Sequence, residues 1–188
     1  MKYAFITGIP ASGKSYLADK VARATRSLHI NTDNWREELG KDDQFKSWVN
    51  FFYNKDEREY WKTTSCDDQW TNLVNQSEAF WPKFLEKIRE IQKTKKSAIF
   101  EGVNILPHLA RRDLDFSGIA LLGESFEIIL ERNKQDPRWG NTKELQIKEA
   151  EAFWNCERAR YQQEAEKYGF KFFTDPVAAE NELLKLIH

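Results

Sequence analysis

The 188-residue chain is long enough to bury one substantial core without metal or disulfide support, and its 29 basic against 30 acidic residues leave a formal charge of −1. That balance provides no global electrostatic footprint for nucleic acid or for a membrane surface. The two cysteines, Cys66 and Cys156, lie far apart without the paired spacing of a zinc or redox motif, so free thiols in a reducing compartment are expected.

Met1-Lys2 leads into a short apolar run, Tyr3-Ala4-Phe5-Ile6-Thr7, with the pattern of neither a signal peptide nor a membrane span, and a cytoplasmic protein with no membrane partner is expected. The run reads as a buried parallel strand. Gly8 follows it, and from Ser15 through Arg26 the residues Leu17, Ala18, Val21 and Ala22 fall at helical spacing. The opening unit is therefore strand, glycine loop, helix. Leu28-His29-Ile30-Asn31-Thr32 reads as a second strand, ending at Asp33, where a helix starts with Trp35, Glu37 and Glu38 in its first turns.

About sixty residues then separate the second strand from the third, far more than the dozen a simple crossover needs. Within them Trp70, Leu73, Val74, Phe80, Trp81, Phe84, Leu85, Ile88 and Ile91 follow helical spacing and read as core packing, with Pro82 a kink or boundary. Trp48, Phe51, Phe52, Tyr53, Tyr60 and Trp61 are less regular and are candidates for lining a pocket. Residues 34–96 are accordingly expected to form a helical acceptor-binding insertion in a single domain spanning 1–188. Ala98-Ile99-Phe100 is the third strand, ending at Glu101-Gly102. Gly118 to Leu122 is the fourth, followed by a helix holding Ile128, Ile129 and Leu130. A long polar helix is expected from Thr142 to Tyr168, and Lys171-Phe172-Phe173 is the fifth strand. Strands alternating with helices imply a three-layer α/β/α domain around a parallel sheet.

Gly8-Ile9-Pro10-Ala11-Ser12-Gly13-Lys14-Ser15 matches G-x-x-x-x-G-K-[ST] in full, in the strand-to-helix context that the chemistry requires. Glycines let backbone N–H groups turn inward around phosphates, and the helix N-terminus adds favourable dipole charge. Lys14 is placed to reach the β- and γ-phosphates of ATP and Ser15 to ligate Mg²⁺. Asp33 emerges at the carboxyl end of a strand, where open parallel sheets bind ligands. It is read as a base for an acceptor hydroxyl, with helix capping as its competing role. Arg36, one helical turn on, is placed to hold an anionic group of the acceptor. Glu101 ends the third strand and is assigned to the acceptor or, through water, to Mg²⁺. Arg132 and Arg138 bracket a short segment just past a helix, and residues 132–141 read as a lid that closes guanidinium groups onto the transferring phosphoryl. Arg158 and Arg160 are read as helix residues, one facing the site or both solvated. His29, His108 and His188 show no ligand or triad arrangement and are assigned no chemistry.

With these segments in place the chain resembles the nucleotide-kinase-like branch of the P-loop kinases over nearly its whole length. Asn31-Thr32-Asp33-Asn34-Trp35-Arg36-Glu37 is similar to the Asp-x-x-Arg segment of 2-phosphoglycerate-kinase-like and polynucleotide 5′-hydroxyl kinase domains, in which the aspartate faces the acceptor hydroxyl. Phe100-Glu101-Gly102-Val103-Asn104-Ile105-Leu106 resembles the Glu-Gly segment ending the third strand of pantothenate and uridine kinases. Arg158-Ala159-Arg160-Tyr161 is similar to the post-lid helix of nucleoside monophosphate kinases, where arginines contact phosphates. The Asp-Gly-x-Pro-Arg segment of adenylate kinases has no counterpart here. The resemblance implies a five-stranded parallel sheet with the glycine-loop strand at its centre. It also implies transfer of the γ-phosphoryl group of a nucleoside triphosphate to a hydroxyl of a small-molecule acceptor. Two readings compete with it: a polynucleotide or tRNA-end kinase, disfavoured by the near-neutral charge, and a nucleotide-binding switch or interaction module with slow hydrolysis.

Overall fold

The computed structural model describes residues 1–49, 56–137 and 139–188. Strand β1 (Tyr3–Thr7) buries its last four residues because it is paired on both sides. Phe5 lies opposite Phe100 of β3 (Ala98–Glu101) and opposite Gly118 of β4 (Gly118–Leu121). Strand β2 (Leu28–Asn31) adds beyond β3 and β5 (Lys171–Phe173) beyond β4, giving an all-parallel sheet of order β2-β3-β1-β4-β5. This is the expected five-stranded sheet, with the glycine-loop strand at the centre.

Strand side chains alternate between two cores, as the period of two demands. Ala4, Ile6, Ile99, Ile119 and Leu121 pack under α1 (Lys14–Thr25) and α10 (Pro176–Ile187). Phe5, Phe100, Ala120 and Leu122 enter the larger core on the other face. There they meet α5 (Cys66–Lys93), whose Leu73, Phe80, Trp81, Phe84 and Ile88 are buried at the expected helical spacing. Pro82 neither breaks nor ends this helix, which runs on to Lys93.

The remaining helices connect these layers. They are α2 (Thr32–Leu39), α3 (Asp43–Val49), α4 (Glu57–Thr63), α6 (Pro107–Asp113), α7 (Phe126–Gln135), α8 (Lys143–Ala152) and α9 (Arg158–Tyr168). The single helix expected from Thr142 to Tyr168 is interrupted by a π-helical turn, Phe153–Glu157, between α8 and α9. Among the described residues no helix is long and apolar enough to cross a membrane.

Two further expectations are corrected, and one competing reading is closed. Strand β2 stops at Asn31, and Thr32 already belongs to α2. The cap of α2 is Asn31, whose Oδ1 accepts from Asp33 N and Asn34 N, so Asp33 is not the capping residue. The cysteines are not free: Cys66, the first residue of α5, is disulfide-bonded to Cys156 in the π-helical turn, with Cα atoms 4.8 Å apart across a separation of 90 residues. Sequence spacing carries no trace of this pairing, because it arises from α5 crossing the α8–α9 helix, where Trp70 meets Tyr161 edge-on at 5.2 Å. Of the irregular aromatics, Tyr60 is buried against Trp61 and Trp139, and Trp48 packs on the larger core. Phe51, Phe52 and Tyr53 lie outside the described residues.

Closing a loop of this length removes conformational entropy from the unfolded chain worth on the order of 4 kcal/mol. Reduction with a dithiol, or Cys156→Ser, is expected to lower the urea midpoint by about 2 to 4 kcal/mol of unfolding free energy. Identical midpoints for oxidised and reduced protein would show that the bond does not hold α5 to the π-helical turn.

Candidate functional site

The carboxyl ends of β1, β2 and β3 open into a cleft of about 510 Å³. One side of it is the glycine loop. Gly8 has φ +125°, and a Cβ there would stand 2.0 Å from the Leu121 carbonyl oxygen, so only glycine lets the loop leave β1 so close to β4. Ala11 and Gly13 also take left-handed φ values, 57° and 96°, the alternation that turns successive N–H groups toward one concavity. Pro10, Ala11, Gly13, Lys14 and Ser15 line the cleft. Ile9 and Ser12 are buried behind it, and Gly8 forms the hinge against β4. The Lys14 ammonium donates to the Ile9 carbonyl at 2.6 Å, which holds it across the loop with only 6% of the residue exposed.

The facing side comes from α2, whose Asp33, Asn34, Arg36 and Glu37 line the cleft. Because Asn31 does the capping, the Asp33 carboxylate is released from the helix end. Its Oδ1 is buried without a hydrogen bond and lies 3.5 Å from Arg36 Nη1. The expected pairing of Asp33 with Arg36 on one helix face is thus present. Thr32 is fully buried, and its hydroxyl donates to the Glu101 carbonyl at 3.0 Å, which ties the start of α2 to the end of β3.

Glu101 lies between these sides. It is 1% exposed, lines the cleft, and leaves Oε1 with no hydrogen bond. A buried carboxylate oxygen without a donor is costly in isolation. Glu101 and the Ser15 hydroxyl therefore offer oxygens at the cleft for a hard cation. Among the described residues no three His, Cys, Asp or Glu side chains converge as a metal cage. That donor set fits Mg²⁺, which keeps several waters and takes the rest of its ligands from phosphates.

Arg132 lies in the last turns of α7, inside the helix, contrary to the expected loop position. Its guanidinium already reaches the glycine loop, donating from Nη1 to the Ala11 carbonyl at 3.3 Å and from Nη2 to Glu124 at 3.2 Å. Asn133, Gln135, Asp136 and Pro137 continue the lining, and Arg138 lies outside the described residues. Arg158 and Arg160 do not line the cleft. Arg158 donates to the Leu122 carbonyl and stacks over Trp154, and Arg160 pairs with Asp67 of α5. Trp48, Tyr60 and Trp61 do not line it either. Tyr16, Asn34, Glu37, Val103 and Gln135 do, without having been singled out from sequence. Only Tyr16 carried a signal, as the residue directly after the motif.

No family model matches the chain and no curated protein sequence matches it. Solved structures do. Shikimate kinase from Acinetobacter baumannii in complex with shikimate aligns with a TM-score of 0.53 at 11% identity, covering 100% of this chain and 93% of its own. An uncharacterized protein from Eubacterium ventriosum aligns with a TM-score of 0.53 at 12% identity over 100% and 98%. Deoxyadenosine kinase from M. mycoides with bound dATP aligns with a TM-score of 0.50 at 16% identity over 98% of each chain. At these identities the likeness establishes the fold, which is the α/β fold of the P-loop kinases.

Gly102 sets the distance between α2 and β3. A Cβ there would stand 2.0 Å from Thr32 Oγ1 and 3.3 Å from Thr32 Cβ. Gly102→Ala is expected to cost about 1 to 3 kcal/mol through overpacking at this fully buried contact. Thr32→Ala removes the colliding oxygen, so the double variant should be more stable than the sum of the single effects, read by urea denaturation. Simple additivity would show that Thr32 does not set this spacing.

Proposed function

We infer that this protein is an ATP-dependent kinase that transfers the γ-phosphoryl group to a hydroxyl of a small-molecule acceptor. The observation that carries the reading is a single cleft with the loop Gly8 to Ser15 on one side and, on the other, the Asp33 carboxylate, which does not cap α2 and whose Oδ1 is buried without a hydrogen bond beside Arg36. A base that faces a phosphate-binding loop across a gap is the arrangement that in-line transfer to a hydroxyl requires. The neighbours support it: one holds shikimate and another dATP within the same fold.

In this reading the N–H groups of the loop and the N-terminus of α1 bind the phosphate chain. The Lys14 ammonium leaves the Ile9 carbonyl for the β- and γ-phosphates, exchanging one acceptor for stronger anionic ones. Asp33 Oδ1 accepts the hydroxyl proton as the oxygen attacks phosphorus, and Arg36 steadies the carboxylate or an anionic group of the acceptor. Arg132, anchored on Ala11, supplies positive charge beside the loop for the transferring group. Ser15 and Glu101 would hold Mg²⁺, which when bound neutralises β- and γ-phosphate charge. The acceptor-binding role of 34–96 then falls chiefly to the first turns of α2, and the lid role to 132–141, including Arg138.

Two variants test the reading. Lys14→Ala should leave the fold intact, because its ammonium donates to the Ile9 carbonyl within the loop, while abolishing tight Mg-nucleotide binding and turnover. Normal ATP turnover by the folded variant would remove the phosphate-loop assignment. Asp33→Asn should lower acceptor-dependent ADP formation by on the order of 10²-fold or more. Thermal stability should hold, since Asn31 is the cap of α2. Turnover within about twofold of wild type would deny Asp33 the role of base.

A further inference from the structure

His29 was assigned no chemistry from sequence, and the cleft does not include it. Its position in the sheet is nevertheless specific. Leu28 and Ile30 of β2 pack toward the larger core, so by the period of two His29 and Asn31 point to the opposite face, the one covered by α1. On β3, Ile99 packs in the core under α1, so Glu101, two residues on, shares that face. Strands β2 and β3 run in register with Asn31 opposite Glu101, which leaves His29 diagonally behind the Glu101 carboxylate. The result is a distance of 3.5 Å between His29 Nε2 and Glu101 Oε1.

Both atoms are buried and neither makes a hydrogen bond. The imidazole as a whole retains 24% of its exposure, so the ring has access to solvent while its Nε2 turns inward to the carboxylate. Such a pairing of an orphaned donor with an orphaned acceptor has a direct physical use. A carboxylate that is 1% exposed and has no fixed donor is free to rotate about its last torsion, and a metal-ligating carboxylate is normally oriented by a partner behind it.

Resting on the reading of Glu101 as the carboxylate that assists the cation, we propose that His29 is the positioning residue for Glu101. The Nε2–H group holds Oε1 from behind, and the remaining lone pairs of the carboxylate are thereby directed into the cleft toward the cation's water shell. His29 touches neither nucleotide nor acceptor and acts through Glu101 alone. It also masks a buried negative charge before the cation arrives.

The test uses the full chain with ADP, and Mn²⁺ as a paramagnetic probe whose free concentration is read by electron paramagnetic resonance. His29→Leu removes the donor and should weaken Mn²⁺ affinity of the enzyme–ADP complex by about tenfold or more, the range for loss of such a partner. ADP binding in EDTA should be unchanged. His29→Gln restores a donor and should recover most of the cation affinity. Should His29→Leu fail to fold, His29→Asn, whose amide is too short to reach Oε1, carries the same expectation. Glu101→Gln is the control. If it weakens Mn²⁺ binding while His29→Leu does not, the positioning role is overturned and the reading of Glu101 stands. If His29→Gln is as weak as His29→Leu, the imidazole acts by shape and the donor role is overturned. If Glu101→Gln itself leaves Mn²⁺ affinity unchanged, the reading of Glu101 fails and the inference fails with it.

Discussion

Strand β1 is hydrogen-bonded to parallel partners on both sides, and this central placement governs where the cleft lies. In a parallel sheet all carboxyl ends lie along one edge, so the glycine loop after β1, the α2 start after β2 and Glu101 at the end of β3 converge without any long-range device. Their separation is set by two places where no side chain fits. Gly8 lets the loop turn against the Leu121 carbonyl, and Gly102 lets the start of α2 lie against β3. At Gly8 the contact is with the Leu121 backbone, which does not relax as a flexible side chain does, and at Gly102 it is with the side chain of the fully buried Thr32. The spacing of the cleft walls is therefore fixed by the sheet at its base and by these two close approaches.

Several of the buried polar atoms without hydrogen bonds lie at or just behind this edge, while others, on Tyr60, Asn104 and Glu157, lie away from the cleft. Thr7 Oγ1, Ser12 Oγ, Asp33 Oδ1, Glu101 Oε1 and His29 Nε2 are buried without a hydrogen bond, Asp33 lying 3.5 Å from Arg36 and His29 3.5 Å from Glu101. Each such group costs about 1 to 3 kcal/mol relative to a satisfied one. A core selected for stability alone would replace them with apolar side chains of similar volume. Their position beside the glycine loop is what a surface completed by a polar, charged ligand would show, since such a ligand would supply the missing partners. The larger core on the opposite face, built from Phe80, Trp81, Phe84, Phe100 and Tyr161, carries the burial that offsets their cost.

The parts legible in the sequence are those whose physics is local. The run Tyr3 to Thr7, the glycine loop and the helical spacing of Leu17, Ala18, Val21 and Ala22 identify the central unit from neighbouring residues alone. The stripe on α5 is legible for the same reason. What escaped is tertiary or depends on one residue of offset. Asn31 and Asp33 are both good caps, and which one serves depends on where β2 stops. Arg132 reads as loop because the turn signals after it are strong, yet α7 continues to Gln135 and carries it onto Ala11. The π-helical turn, the Cys66–Cys156 bond and the His29–Glu101 approach exist only because separate elements cross, and no periodicity encodes a crossing. Helix α10 followed from Asp175-Pro176 and an apolar stripe ending at Ile187, a signal present in the sequence and passed over.

Helix α4 is joined to the segment after α7 by aromatic contacts. Trp139 packs against Tyr60 and Trp61 of α4 with ring centroids 5.5 and 5.9 Å away. Trp61 is fixed in turn by donating to Glu57, whose carboxyl is pushed above its ordinary value by burial. Behind this cluster, Leu145 of α8 packs against Gly140, and α8 runs through the π-helical turn to the disulfide with α5. A movement of Asp136 and Pro137 toward the glycine loop therefore has two courses. It breaks the rings apart, exposing large apolar area at about 25 cal/mol per Å², or it carries α4 along with it. The second course is less costly, because α4 is a short helix with few buried residues, whereas α5 is anchored by its stripe and by the disulfide. The aromatic contacts thus tie α4 and the segment around Trp139 into one unit, while α5 is held separately by its buried stripe and by the disulfide.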